Sequence, residues 1–493
     1  MKITKDLYQG SLALLTDFYQ LTMAYAYWKS GKAEETAVFN LFFRKNPFQG
    51  GYTLAAGLDY VIDYCRNFAF DEMDLGYLKE MKNKDGSPIF EAAFLEYLQN
   101  MKFSCDIDAV EEGTVVFPHS PIIKITGPLL QCQLLETPLL NIINFQTLIA
   151  TKASRIVFAA KGDAVLEFGL RRAQGIDGAL AASRASYIGG CSATSNVMAG
   201  KLFGIPVAGT HAHSWIMAFS TELAAFEAYA AAFPDKCVFL VDTYDTVNGI
   251  KNAIQVGKQL REMGHEMEGV RIDSGDLAYF SNVARKMLDE AGFPNAKVVA
   301  SNDLDEHIIT SLKTQEATIE TWGIGTKLVT AYDQPALGAV YKLAAIKSEV
   351  GEWEPKIKIS QQTIKINIPG NQQVIRYSKH DKVVADMIYM EGEDIEKETF
   401  MIIDPVDPTK RKKIHTKGMD QEILLKPIFR KGEMVYMLPD IHTIRERAIK
   451  NLSFFDKAHK RLVNPHTYPV GLEESLYQLR TDLVFKMKNY NGE

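Results

Sequence analysis

The chain is expected to be a multidomain α/β protein with a parallel sheet or barrel at its centre. Three observations predict this. Between about Leu140 and Tyr341, six strand-like segments recur, most of them about thirty residues apart, each ending in a polar or glycine-rich loop; strand, loop and helix at that period mark parallel α/β structure. Ahead of that stretch, helical spacings mix with strands that are not obviously parallel, an α+β reading. After Tyr341 the rhythm gives way to period-two alternation, as in antiparallel strands. A chain of 493 residues can bury a large core and divides into two or three domains. They are placed here at 1–139, 140–345 and 346–493.

Taking the elements in order, Leu14, Phe18, Leu21, Tyr25 and Trp28 repeat at helical spacing after a cap at Thr16 or Asp17, and read as a core stripe. Tyr19, Met23 and Tyr27 form a second stripe, so this helix is expected to face two bodies. Further helices are expected over 54–70 and 90–101, with strands over 113–118 and 122–128 closed by turns. A long helix over 140–158 carries Lys152 and Arg155. The six repeating strands fall in 165–172, 206–210, 237–246, 269–276, 297–303 and 319–326, with helices over 221–233 and 246–263 in the gaps. In a barrel every such loop gathers at the C-terminal face. That face would collect Arg171, His213, Asp242, Asp273, Asn302 and Gly323. Beyond it, 356–360, 363–368 and 374–377 alternate about Pro369-Gly370, and a last helix is expected over 471–487. No low-complexity linker separates the parts, so they should pack tightly.

Composition narrows the function. The hydrophobic fraction is 46% and the charged fraction 24%, ordinary for a soluble globular protein. A net charge of −6 argues against nucleic-acid binding, which favours a basic excess. The cluster Lys410–Lys413 follows the acidic stretch 391–398 and reads as a solvated loop pair. Five cysteines, Cys65, Cys105, Cys132, Cys191 and Cys237, are scattered and never spaced C-x-x-C. They fit reduced thiols of a cytoplasmic protein better than a disulfide framework or a zinc site. Cys191 lies in a glycine-rich turn, yet no obvious basic neighbour activates it. The opening M-K-I-T-K-D-L-Y has no apolar signal region, and no run approaches the ~18 to 20 residues of a membrane span.

The loops carry the chemistry. V-A-G-T-H-A-H-S-W at 207–215 sets His211 and His213 among small residues that let a ligand approach the backbone. Imidazole there serves equally as nucleophile, base, metal ligand or packed core residue. In a simple extended strand both rings point the same way, so spacing does not choose between them. Gly323-Ile-Gly-Thr326 offers unobstructed amides and a hydroxyl, as phosphate loops do. Arg271 and Asp273 share a face of their strand. Asp242, Asp245, Asp273 and Asp276 suit ribose hydroxyls or a water-mediated Mg²⁺, and each suits helix capping equally well. Arg171 and Arg172 beside Phe168 pair an aromatic face with a fork for a planar carboxylate. Three readings remain: phosphoribosyl transfer to a small aromatic acid, an H-x-H metal hydrolase barrel, and a non-catalytic small-molecule-binding regulator. The hydrolase wants H-x-H on its first strand and more histidines on later ones, whereas here Asp, Asn and Gly follow.

Seven motifs in order resemble those of the nicotinate phosphoribosyltransferases. They are T-D-F-Y-Q-L-T-M (16–23), E-F-G-L-R-R-A-Q-G (167–175), G-T-H-A-H-S (209–214), V-D-T-Y-D-T (241–246), R-I-D-S-G-D (271–276), G-I-G-T (323–326) and P-G-x-x-Q-V-x-R (369–376). The resemblance implies a type II phosphoribosyltransferase fold: an N-terminal α/β sandwich domain, an irregular α/β barrel and a C-terminal extension. It implies a homodimer with a shared site. The implied reaction joins nicotinate to 5-phosphoribosyl-1-diphosphate, with Mg²⁺ accompanying the phosphates and ATP as co-substrate through a phosphohistidine. Carried over by motif, His213 takes the phosphate, with Thr210 and Ser214 beside it. Phe168 and the partner subunit's Tyr19 sandwich the pyridine ring, and Arg171 and Arg271 bind near its carboxylate. Asp242 and Asp273 lie near the ribose and His213, while Asn302, Gly323, Gly325 and Thr326 hold the 5′-phosphate. A nicotinamide-using relative is the nearest alternative; it has an aspartate about where Ala193 stands, and a neutral residue there favours the acid.

Overall fold

The computed structural model describes residues 10–490. The segment Met1–Tyr8, read above as lacking a signal region, lies outside the described residues. Among the described residues no helix is long and apolar enough to cross a membrane.

The N-terminal helix runs Phe18–Lys29 with Asp17 at its cap position. The Asp17 carboxylate does not cap; it accepts from Thr137 Oγ1 at 2.8 Å, which ties the helix start to the next layer. The stripe expected to be core is only partly so. Leu21 is buried, but Phe18 is 49% exposed, as is Tyr19 on the second stripe. The expected helix over 54–70 shortens to Leu58–Arg66, because Thr53–Leu54 pairs instead with Val115–Val116.

A seven-stranded sheet forms the N-terminal layer. Its order is Trp353–Pro355, Val340–Lys347, Thr36–Phe42, Ile123–Pro128, Asp106–Val110, Leu425–Arg430 and Glu433–Met434, every pair antiparallel. Three distant stretches of chain therefore build one sheet, and position 345 falls inside its strand Val340–Lys347. The helix Glu136–Ala160 crosses beneath, with buried residues on several faces. Its Thr151 and Thr147 hydroxyls accept from the Leu54 and Ala56 amides at 2.9 and 3.2 Å. Lys152 and Arg155, fully buried, meet Glu306 at 2.7 and 2.9 Å. Buried charges persist only when paired, and these pairs fix the long helix against the central domain.

That domain holds a six-stranded sheet in the order Ala193–Thr194, Ala164–Glu167, Thr321–Ile324, Lys297–Asn302, Gly269–Ile272 and Val238–Leu240. All neighbours are parallel, and helices fill the connections, giving the irregular, open α/β barrel expected. One strand differs. The segment 206–210 is no strand; Ala193–Thr194 takes that edge, and 206–208 touches it through Thr194 N to Pro206 O and Ala208 N to Thr194 O, both 3.0 Å. Pro206 has no N–H to extend a ladder.

The C-terminal sheet has the order Arg411–His415, Thr399–Ile403, Val470–Glu473, Lys382–Met390, Gln372–Lys379 and Asp420–Ile423. Strands expected over 356–360 and 363–368 do not form. There the Asn367 side chain accepts from Lys358 N at 2.7 Å and donates to Lys356 O and Leu343 O, both at 3.3 Å, serving the backbone in place of a ladder. The last helix starts at Glu474, since 470–473 is a strand. Arg376, from the P-G-x-x-Q-V-x-R motif, is buried on Asp386 at 2.8 and 2.6 Å and donates to Val115 O at 2.7 Å. It joins the C-terminal sheet to the N-terminal part.

Candidate active site

The site lies at the C-terminal ends of the parallel strands. The strand Ala164–Glu167 turns at Phe168, whose N–H donates to Ile324 O at 2.7 Å. Glu167, buried beneath this turn, accepts from Ser183 Oγ at 2.8 Å, Thr194 Oγ1 at 2.5 Å and the Gly169 N–H. That carboxylate fixes the elbow carrying Phe168 and Arg171. Phe168 packs closely against the next strand because Gly323 has no side chain: a Cβ there would stand 2.7 Å from the ring.

A cavity of about 280 Å³ opens beside Phe168, lined also by Arg171, Ser195, Gly209, Thr210 and Arg271. A second, of about 220 Å³, shares Phe168, Arg171 and Arg271 and adds Asp273, Asn302, Gly323, Gly325 and Thr326. The two make one cleft that shares both arginines, more apolar at one end and polar, with glycine backbone on its lining, at the other. Arg271 donates through Nη1 to Thr210 Oγ1 and to His211 O at 3.3 Å, and its Nη2 lies 3.7 Å from Asp273. Its Nε is buried without a partner. Burial lowers its pKa, while Asp273 and Asp242 act in the opposite sense.

The four aspartates divide into pairs. Asp245 caps the helix Thr246–Glu262 through Asn248 N at 2.8 Å, and Asp276 caps Leu277–Glu290 through Tyr279 N at 3.0 Å. Asp242 instead accepts from Asp273 N at 2.9 Å and Ser274 Oγ at 2.6 Å, and its Oδ1 is buried with no partner. Asp273 accepts from Ser301 Oγ and turns its other oxygen toward His213 Nε2, 3.9 Å away. His213 opens the short helix His213–Met217, with Nδ1 3.1 Å from Thr243 Oγ1.

His211 is on the lining of the first cavity, whereas His213 and Asp242 line neither, yet its imidazole turns inward. It is buried, its Nε2 accepts from Leu240 N at 3.3 Å, and burial and then Arg271 lower its pKa to about 4. Ala212 between them is extended, but His213 already begins a helix, and the two imidazoles take different partners, Leu240 N and Thr243 Oγ1, so H-x-H does not aim two ligands at one point. Among the described residues no group of three or more His, Cys, Asp or Glu is placed to hold a metal ion.

Other expected residues fall outside the cleft lining. Ser214 is exposed, and Tyr19 lies outside both cavities of its own chain. Ala193 is buried in its strand, and Ser195, two residues on and on the same face, reaches the cavity in its place. Cys191 is buried, which pushes its thiol pKa up and ends the nucleophile reading. Sequence reasoning passed over Glu167, Ser195, Thr243 and Ser301. All but Ser195 lie next to or inside quoted strand ends, and period-two alternation from Asp242 or Asp273 alone does not single them out.

This pairing of an antiparallel N-terminal layer with an open parallel barrel, with a cleft at the C-terminal ends of its strands, defines an enzyme of the type II phosphoribosyltransferase fold. Family models agree along the chain: the nicotinate phosphoribosyltransferase N-terminal domain matches residues 14–144, the nicotinate phosphoribosyltransferase family 164–383, and its C-terminal domain 371–480. The chain belongs to the nicotinate phosphoribosyltransferase family. It is similar to the nicotinate phosphoribosyltransferase of Bacillus subtilis, 46% identical over 484 residues that cover 97% of this chain and 96% of that one. The crystal structure of human nicotinic acid phosphoribosyltransferase matches it with a TM-score of 0.83 at 32% identity, over 95% of this chain and 99% of that one. The nicotinate-nucleotide pyrophosphorylase of Pyrococcus furiosus shares the fold, with a TM-score of 0.67 at 20% identity over 90% and 96% of the two chains.

Proposed function

We propose that this enzyme joins nicotinate to 5-phosphoribosyl-1-diphosphate, giving nicotinate mononucleotide and diphosphate, and couples the step to ATP hydrolysis through phosphorylated His213. The observation that carries the substrate reading is a ring-sized cavity walled by Phe168, with Arg171 and Arg271 on its lining and no acidic residue. A carboxylate is stabilised there by charge-assisted hydrogen bonds, whereas a neutral amide gains less. The unpartnered Arg271 Nε is a donor in reserve. Asn302, Gly323, Gly325 and Thr326 would hold the 5′-phosphate with backbone and hydroxyl donors.

The pyridine nitrogen attacks the anomeric carbon with its own lone pair, so the protein needs no general base. What it must supply is position and stabilisation of the departing diphosphate charge. With Nδ1 donating to Thr243 Oγ1, His213 Nε2 keeps its lone pair for the phosphoryl group, and Asp273 stabilises the resulting imidazolium. Thr210 and Ser214 flank that step. Mg²⁺ fits as a companion of the phosphates: the partnerless Asp242 Oδ1 and the accessible Asp273 are the one or two carboxylates that such an ion takes beside substrate oxygens and water. When bound, it neutralises diphosphate charge.

The active unit is a homodimer in the cytoplasm. Leu12, Leu15, Phe18, Tyr19 and Met23 are between 37% and 49% exposed, an apolar surface that favours a protein partner. It would bring Tyr19 of the partner subunit to the face of the pyridine ring opposite Phe168. The decisive experiment is incubation with γ-labelled ATP and mapping of the labelled peptide. Acid-labile label should sit on His213, vanish in His213→Ala, and leave a slow ATP-independent transfer; label on His211 or on neither histidine would falsify the assignment.

A further inference from the structure

His211 has no part in the reaction above, and its surroundings give it another task. The parallel sheet is open between the strand Val238–Leu240 at one edge and the segment 206–208, bridged to Thr194, at the other. A strand edge leaves N–H groups in need of acceptors, and a buried one gets none from water. Leu240 is fully buried, and its N–H donates to His211 Nε2 at 3.3 Å. The imidazole is held in place by Phe226, Tyr229 and Phe239, with ring centroids at 6.0, 4.8 and 6.4 Å. A side chain thus spans the seam where a backbone ladder is missing.

The same residue reaches the cleft through its backbone. The His211 carbonyl and the Thr210 hydroxyl both accept from Arg271 Nη1. We propose that His211 is a positioning residue: its imidazole clasps the seam of the open sheet, and its carbonyl, fixed by that clasp, aims Arg271 into the ring cavity. The clasp requires an acceptor at Nε2, hence a neutral ring with its proton on Nδ1. The part played by Arg271 rests on the substrate reading above; the clasp itself does not.

Three variants test this. His211→Phe keeps the ring volume without an acceptor, His211→Gln places an oxygen near the Nε2 position, and His211→Asn is too short to reach it. His211→Phe should raise the nicotinate KM about tenfold or more with little change in kcat, while His211→Gln stays within about threefold of the native value. Hydrogen exchange at the Leu240 amide should quicken by about tenfold in His211→Phe and stay slow in His211→Gln. Should His211→Phe not fold, His211→Asn is expected to show the same two effects. A folded acceptor-less variant with native KM and native Leu240 protection overturns the proposal, and so does a Gln variant as impaired as Phe. Arg271→Ala, measured alongside, separates the two ideas: an unchanged nicotinate KM there defeats the substrate reading, while Leu240 exchange still reports on the clasp.

Discussion

At the scale of single residues, identical side chains take opposite tasks according to where the backbone turns. Asp245 and Asp276 spend their carboxylates on helix N-termini, whereas Asp242 braces the loop of Asp273, and Asp273 faces His213. His211 and His213 separate likewise, one ring into an aromatic cluster and the other onto the Thr243 hydroxyl. Arg171 lines both cavities, shared between ring and phosphate ends. Arg171→Ala should therefore raise the nicotinate KM, costing about 1.5 to 3 kcal/mol for one charge-assisted contact, and the native enzyme should use nicotinate far better than nicotinamide. Steady-state kinetics with both substrates checks this; comparable kcat/KM for acid and amide would sink it.

Elements make the cleft by close approach. The Phe168 elbow rests on the strand Thr321–Ile324 at the one position where that strand has no Cβ, and Glu167 holds the elbow from below. Gly323→Ala would put a methyl 2.7 Å from the ring, closer than real packing allows, so Phe168 must move out of the ring cavity. The expected result is a loss of about tenfold or more in kcat/KM for nicotinate, with thermal unfolding little changed. A variant with native kinetics would mean that Phe168 does not face the substrate. The same scale explains the misplaced strand. Apolar residues and a following glycine make 206–210 look like a strand, but Pro206 donates nothing, and the two residues Ala193–Thr194 are too short to announce themselves by periodicity.

At the scale of the molecule, one antiparallel sheet is assembled from residues 36–128, 340–355 and 425–434. Buried Lys124 ties the C-terminal part to it, reaching Glu391 at 2.7 Å, and buried Arg376 ties it to the neighbouring strand Val115–Val116. The apolar stripe around Tyr19 is exposed, and the proposed second subunit would cover it. Tyr19→Ala should weaken nicotinate use without unfolding the protein, since its ring is half exposed. Mixing that variant with His213→Ala should restore activity in mixed dimers, where one site combines an intact barrel with an intact Tyr19. Subunit exchange is followed by native mass spectrometry; a mixture that exchanges and stays inactive rules out a shared site.

The parallel α/β core is legible in the chain alone, because strand–loop–helix periodicity is local and repeats. The chain also carried the family and the residues of the cleft, because Phe168, Arg171, Asp273, Asn302 and Gly323 sit at strand ends that a parallel sheet brings together. What depends on a neighbour distant in the chain emerges only once the chain is folded. Folding chose which aspartates cap and which face His213, put Ser195 rather than Ala193 in the cavity, and turned His211 onto the amide of Leu240. Where the histidines and Asp242 turn is set by unpaired backbone groups and by contacts across about 30 residues, as between His213 and Thr243, and local pattern holds no record of them.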